Sequence, residues 1–252
     1  MKRLIGAVFA TILVCGLSGS VRAADTQDAK MIVDKAIKAL GGEETLSKIK
    51  AASWKSKGTI TFGGNTSENT GQATMQDLDH FRQESEGEFN GNKIKIVSIV
   101  AGDKATMKFN DMSRDLDGDA LAGQKRTVYL TVIPITLLPL KGKDFKLETI
   151  DEDKVGDKPA VGLKVTAPDK KDFKLYFDKE TGLPVKLVAK VAGFQNQEFT
   201  QETIFSDYKE MAGIKKATKI VSKRDGEKFM EQEITEFKIL DKVDPKTFTE
   251  TL

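Results

Sequence analysis

Few of the side chains that usually carry catalysis occur in this 252-residue chain. His80 is its only histidine and Cys15 its only cysteine. A Ser-His-Asp triad would have to use His80, yet no Gly-x-Ser-x-Gly elbow offers a nucleophile. His80 opens a run that alternates with charged residues, the pattern of an exposed strand position. One histidine and one cysteine also leave no transition-metal ligand set. Asp115, Asp117 and Asp119 have the alternate spacing of a calcium loop. An EF-hand then needs a glycine at its sixth position and a glutamate at its twelfth. Counted from Asp115, Gly118 comes too early and Arg126 takes the twelfth place, so a solvated loop leading into a helix cap is the better account.

Carboxylates are plentiful: Glu43/Glu44, Asp151/Glu152/Asp153 and Glu231/Glu233. A glycosidase needs two of them facing each other across a sugar. It usually adds an aromatic platform, and here Trp54 and three tyrosines are the sparse supply. Gly41-Gly42 follows a helical pattern instead of opening a helix from a strand, so it is no phosphate loop. No cofactor is expected, and catalysis is the weakest of the readings.

What the chain has in surplus is hydrophobicity. Between 128 and 140 stand Val128, Tyr129, Leu130, Val132, Ile133, Ile135, Leu137, Leu138 and Leu140. Leu121, Val128, Val132 and Ile135 recur at roughly helical spacing, and Asp117 or Asp119 is placed to cap the start. Pro134 and Pro139 must kink or end such a helix. Residues 128–133 are rich in β-branched types, so a strand is the alternative. The segment either packs as an ordinary core element or plugs a concave apolar cavity as a lid; one element can do both in turn.

The elements that would position this segment are mostly strands. Phe173, Leu175 and Phe177 alternate with Lys174, Tyr176 and Asp178, which gives one buried face. Residues 178–182 are turn chemistry, with Gly182 free to take positive φ. Val185, Leu187, Ala189 and Val191 resume the alternation. Further strands are expected at 54–62, 66–78, 80–89, 93–100 and 104–109, then, after a polar break at 111–119, at 145–150, 160–166, 197–208, 216–224 and 228–240. Asp225-Gly226 is a strong hairpin turn. Residues 25–40 read as an amphipathic helix stopped by Gly41-Gly42. Strands joined by short turns mean an antiparallel meander and not βαβ units.

Composition sets the compartment. Lys2 and Arg3 precede an apolar run at 4–14, the length of a signal h-region and too short to span a bilayer. Val21-Arg22-Ala23 fits a cleavage site, so residues 1–23 are expected to be a signal peptide and 24–252 a single mature domain. Val14 stands where a lipoprotein signal places a small residue before the cysteine, which argues against a lipid anchor at Cys15. Loss of Lys2, Arg3 and Arg22 takes the net charge from +2 to about −1. Interspersed Lys, Asp and Glu then look like a solvated surface, and nucleic acid is not an expected partner. A mature chain without cysteine has no disulfides and must rely on its core.

Several pieces in order resemble the LolA/LolB-like group of periplasmic lipoprotein-sorting and carrier proteins. Ala39-Leu40-Gly41-Gly42 with Leu46 and Ile49 resembles the amino-terminal helix and turn. Tyr176-Phe177-Asp178 with Thr181-Gly182-Leu183-Pro184 resembles the recurrent strand-turn-strand. Phe205-Ser206-Asp207-Tyr208 with Gly213-Ile214-Lys215 resembles a second pair of strands, and Val243-Asp244-Pro245 with Phe248 the carboxy-terminal tail. Within the group, the chain is similar to uncharacterised exported members from planctomycete-type bacteria. Ala105-Thr106-Met107 departs from relatives that carry a tryptophan there, and the carrier's functional arginine matches no position.

The expected fold is mainly β (α+β): a large curved antiparallel sheet, a half-barrel, with an N-terminal helix and a central helix on the concave face. The resemblance implies an exported, periplasmic or envelope protein, non-catalytic and monomeric, that holds a lipid, a lipoprotein acyl chain or another apolar ligand and touches envelope membranes only peripherally. Phe173, Leu175, Phe177, Val185 and Leu187 would form the wall, and Val128, Val132, Ile135 and Leu138 the cover. An envelope interaction protein with a filled core is the alternative, and a hydrolase using paired carboxylates the third choice.

Overall fold

The computed structural model describes residues 20–89, 91–193 and 197–249. Cys15, the apolar run at 4–14 and most of the expected leader lie outside the described residues. Helix α1 spans Ser20–Leu40, starting before Asp25, and the short α2 spans Glu43–Ser47. The two glycines close α1 as expected: Gly42 N–H donates to Ile37 O at 2.9 Å and Gly41 N–H to Lys38 O at 3.4 Å, the bond pattern of a Schellman motif.

Six strands follow: β1 Ala51–Phe62, β2 Asn65–Gln76, β3 His80–Phe89, β4 Asn92–Ala101, β5 Lys104–Phe109 and β6 Met112–Leu116. Strand β6 corrects the expected polar break. It carries no alternation because it is an edge strand, exposed from Met112 to Asp115 with only Leu116 buried. Backbone pairing to β5 makes it a strand, and its side chains say little about it.

Helix α3, Gly118–Thr136, then crosses the molecule, followed by a 3-10 turn at Leu138–Lys141. Helical spacing therefore wins over the β-branched alternative at 128–133. Asp117 holds the N-cap position, but its side chain makes no capping hydrogen bond. Pro134 sits inside the last turn, and the helix ends two residues later where Leu137 takes φ 59°.

The second run is β7 Lys146–Val155, β8 Lys158–Thr166, β9 Asp172–Asp178, β10 Pro184–Ala192, β11 Glu198–Met211, β12 Ile214–Arg224 and β13 Glu227–Leu240. Among the described residues all thirteen strands form one antiparallel sheet, ordered β6-β5-β4-β3-β2-β1-β13-β12-β11-β10-β9-β8-β7. Two meanders thus meet at the β1–β13 seam, where Trp54 lies opposite Phe237. The sheet is open: β6 and β7 are its two edges, and α3 is the connection between them.

Curvature follows from the packing. Helix α3 touches β4 and β5 on one side and β10 on the other. These strands stand seven or more positions apart in the sheet, so one helix can reach both only if the sheet bends around it. Helix α1 packs against β7 and β12 on the same inner face. The main core lies between sheet and helices, with Leu46, Met75, Ile133, Leu163, Leu175 and Phe177 among its fully buried members. A smaller cluster lies on the outer face, where Val243 and Phe248 of the tail cover Ala51, Val97 and Ile99. Arg82 holds that tail by donating to Thr247 O at 3.2 Å.

Candidate functional site

Each strand's alternation decides which residues face the helices. On β9 and β10, Phe173, Leu175 and Phe177 pair with Ala189, Leu187 and Pro184. Phe173, Leu175, Phe177 and Leu187 are all buried in the main core. Val185 departs from this set. The β9–β10 register shifts between Pro184 and Lys186, so the bulge leaves Val185 unpaired, half-buried and outside the core cluster. Opposite the wall, Val128, Val132 and Ile135 of α3 are buried, and Leu138 is half-buried against the same cluster. The structure brings wall and cover into one closed core. Ridge and sheet are in contact there, each buried Leu or Phe contributing roughly 1.5–3 kcal/mol.

Polar anchors hold α3 in this closed position. Arg126, 4% exposed, donates through Nε to Lys190 O at 2.8 Å and through a terminal nitrogen to Asp172 O at 2.6 Å. Its other terminal nitrogen meets the Asp169 carboxylate at 3.2 Å. On the far side, Ser98 of β4 donates to Gln124 at 2.6 Å, and Lys125 meets Asp103 at 2.6 Å. Tyr129 sets its ring edge-on to Phe145, centroids 5.9 Å apart, and burial raises its pKa. Sequence reasoning passed over Arg126; the available signal was a cation one heptad from Ile133, on the face of a helix that otherwise buries apolar residues.

Away from the helices the concave face is less complete. At the rim that carries the turns Gly63-Gly64, Asn110-Asp111 and Asp225-Gly226, the inward positions include Ile60, Ile94, Ile96, Phe109, Phe199 and Met230. All six are half-buried. This apolar row faces a concavity and stays partly wet, and it is interrupted between Ile60 and Ile94 by the inward Ser67 and Asn69 of β2 and Ser85 and Gly87 of β3, where Asn69 donates to Ser85 at 2.7 Å.

The candidate catalytic groups do not converge. His80 lies on the outer face against the ring of Phe248, centroids 5.3 Å apart. The acid clusters are tied to lysines. Glu43 and Asp34 bracket Lys141, Glu152 meets Lys179 at 2.7 Å, Asp153 pairs with Lys186, and Glu231 accepts from Lys219 and Lys228. Hydrogen bonds from these lysines hold Asp153 and Glu231 below the usual carboxylate range, the opposite of a general acid. Asp115 accepts from the Thr106 hydroxyl at 2.9 Å. Among the described residues no cluster of three metal-ligating side chains occurs. An open cleft of about 500 Å³ lies on the outer face, lined by Glu68, Glu86, Glu88, Lys93 and Lys95 with Asn69, Thr70 and Ile94, and within it Lys95 pairs with Glu86 at 2.9 Å.

Comparison with solved structures decides the architecture. A LolA superfamily protein from Nitrosomonas europaea superposes with a TM-score of 0.57 at 10% identity, covering 88% of this chain and 97% of that one. The chain has a LolA-like fold. A DUF1329 family protein from Desulfovibrio piger gives 0.54 at 12% identity, covering 87% and 96%. A domain named for outer membrane lipoprotein sorting from Vibrio parahaemolyticus gives 0.54 at 9%, covering 86% and 97%. No family model matches the chain, and no curated protein does. The narrower resemblance to planctomycete-type members rests on the sequence motifs alone. The LolA-like frame accounts for what the geometry already showed: an unclosed sheet curved around a helix that links its two edges.

Proposed function

We propose that the protein is an exported, non-catalytic binding module whose LolA-like sheet holds a lipid, a lipoprotein acyl chain or a comparable apolar ligand on its concave face. The observation that carries this reading is the half-exposed inward row Ile60, Ile94, Ile96, Phe109, Phe199 and Met230. Covering such a row with an alkyl chain removes water from both partners, at roughly 0.8 kcal/mol per CH₂. No specific polar contact is then required for affinity. The closed pair formed by the wall (Phe173, Leu175, Phe177, Leu187, with Val185 at its margin) and the cover (Val128, Val132, Ile135, Leu138) is the inner part of the same site, reached when α3 lifts.

The leader motif and the sorting function named for the Vibrio parahaemolyticus relative support a periplasmic or envelope setting with peripheral membrane contact. Among the described residues no helix is long and apolar enough to cross a membrane. Native mass spectrometry of protein extracted from its own envelope should show bound lipid. The delipidated chain should take up the neutral fluorophore N-phenyl-1-naphthylamine and release it to a long-chain ester. A chain that carries no lipid and leaves the fluorophore in water would overturn the proposal. The tight packing of α3 supports a second reading, an envelope interaction protein with a filled core, and that negative result would favour it.

A further inference from the structure

We propose that Arg224 is the polar anchor of this site and selects amphiphiles with an anionic head group, a carboxylate or a phosphate. The inference deepens the apolar-ligand reading and rests on it. The strand register places the residue. Phe205 pairs with Ile220, Thr203 with Ser222 and Gln201 with Arg224. Phe205 belongs to the main core, and Thr203 in turn pairs with core Leu187, so this alternation points Arg224 inward at the open rim. Its guanidinium carbon lies 3.6 Å from the centroid of the Phe229 ring and 5.5 Å from that of Phe199. Phe199 is itself one of the half-exposed inward row.

The anchor is a half-buried cation that makes no ion pair among the described residues. Arg224 is half-buried, and burial alone lowers its pKa; no neighbouring carboxylate contributes. Glu227 stands directly across from it on β13 and is exposed. One nitrogen is used, Nε donating to Gln201 Oε1 at 3.1 Å. The two aromatic rings stiffen the planar group and compensate part of its desolvation. They leave its terminal N–H edge free to fork onto a carboxylate or phosphate, with the alkyl chain running from Phe199 along the row. A neutral lipid would fill the row but leave the guanidinium without its anion.

The test uses the full mature chain and displacement of bound N-phenyl-1-naphthylamine by dodecanoate, dodecyl phosphate, methyl dodecanoate and inorganic phosphate. Both anionic amphiphiles should bind about tenfold or more tighter than the ester, and inorganic phosphate should displace nothing at millimolar concentration. Arg224→Gln should lose that preference, so that acid and ester bind alike, and Arg224→Lys should keep part of it. Equal binding of acid and ester by the unaltered protein overturns the assignment, as does a preference that survives Arg224→Gln. Inorganic phosphate competing as well as dodecyl phosphate would make Arg224 a free-anion site and overturn the amphiphile assignment. Failure of every amphiphile, the ester included, overturns the apolar-ligand reading together with this one. Circular dichroism of each variant at the working temperature confirms that it is folded.

Discussion

At the scale of single residues, the buried cations differ in whether an opposite charge pairs with them. Arg126 places its donors on two carbonyls and a carboxylate, and Lys186 pairs with Asp153 while lying 4.5 Å from the Tyr176 ring centroid. Among the described residues Lys216 pairs with no carboxylate. It is 8% exposed on β12 between buried Ile214 and Thr218, and burial alone takes its pKa from the ordinary 10.5 to about 8. The folded state therefore binds fewer protons than the unfolded state between about pH 8 and pH 10. Stability must rise with pH through that window and is depressed below it. Lys216→Met is expected to stabilise the protein at pH 7, by at most roughly 3 kcal/mol, and to lose the advantage near pH 10. Thermal unfolding at both pH values checks this; a gain that is the same at pH 7 and pH 10 would show packing, not charge, to be the cause. Asp178 is the opposite case. Burial raises its pKa, but the Thr181 backbone N–H at 2.6 Å and hydroxyl at 2.8 Å outweigh that, and the net shift is downward. Those bonds are what turn residues 178–182 into a fixed Asx-type turn.

At the scale of elements, α3 is the part whose position is in question. Its apolar face is buried against β10, and Arg126 adds three donor contacts at one helical turn. Arg126 is the most buried of the polar anchors of α3, beside Gln124 and Lys125, so cutting it separates the polar hold on the helix from its apolar contact. Arg126→Met keeps the aliphatic stem and removes the donors. It should lower stability by about 2–4 kcal/mol and speed amide exchange across Gly118–Thr136 relative to the strands. It should also speed uptake of the apolar fluorophore. Exchange across α3 that stays as slow as in the unaltered protein would mean that apolar contact alone fixes the helix.

At the scale of the whole molecule, the fold depends on the seam between its two meanders. Trp54, the only tryptophan, stands on β1 with its ring centroid 6.5 Å from Phe237 of β13, stacked at 27°, and 6.1 Å from Phe81 of β3. Each meander can form from local hairpins, whereas the seam joins strands from opposite ends of the chain and must close a long loop. Trp54 fluorescence is therefore expected to reach its native value in the slowest refolding phase, after most far-ultraviolet ellipticity has returned. A native tryptophan signal that precedes the ellipticity would reverse this order of assembly.

The sequence by itself determined nearly all the strands, because each has one buried face and so alternates, and because turns such as Gly182 and Asp225-Gly226 need residue types that permit positive φ. For the same local reason it favoured a helix for the apolar segment, but it left a strand at 128–133 open, and the structure decides for α3. The sequence did not show β6, whose pairing uses backbone atoms common to all residues, nor the bulge that takes Val185 out of the wall, which depends on register with β9. Only the tertiary structure decided that β13 closes on β1, that Arg126 is a buried anchor, and that Arg224 faces inward at an open rim. The physical reason is one of range. Alternation and turn chemistry are properties of neighbours in the chain, while the partner of a buried cation and the covering of an apolar row are set by residues far away in sequence, brought near by the curvature of the sheet.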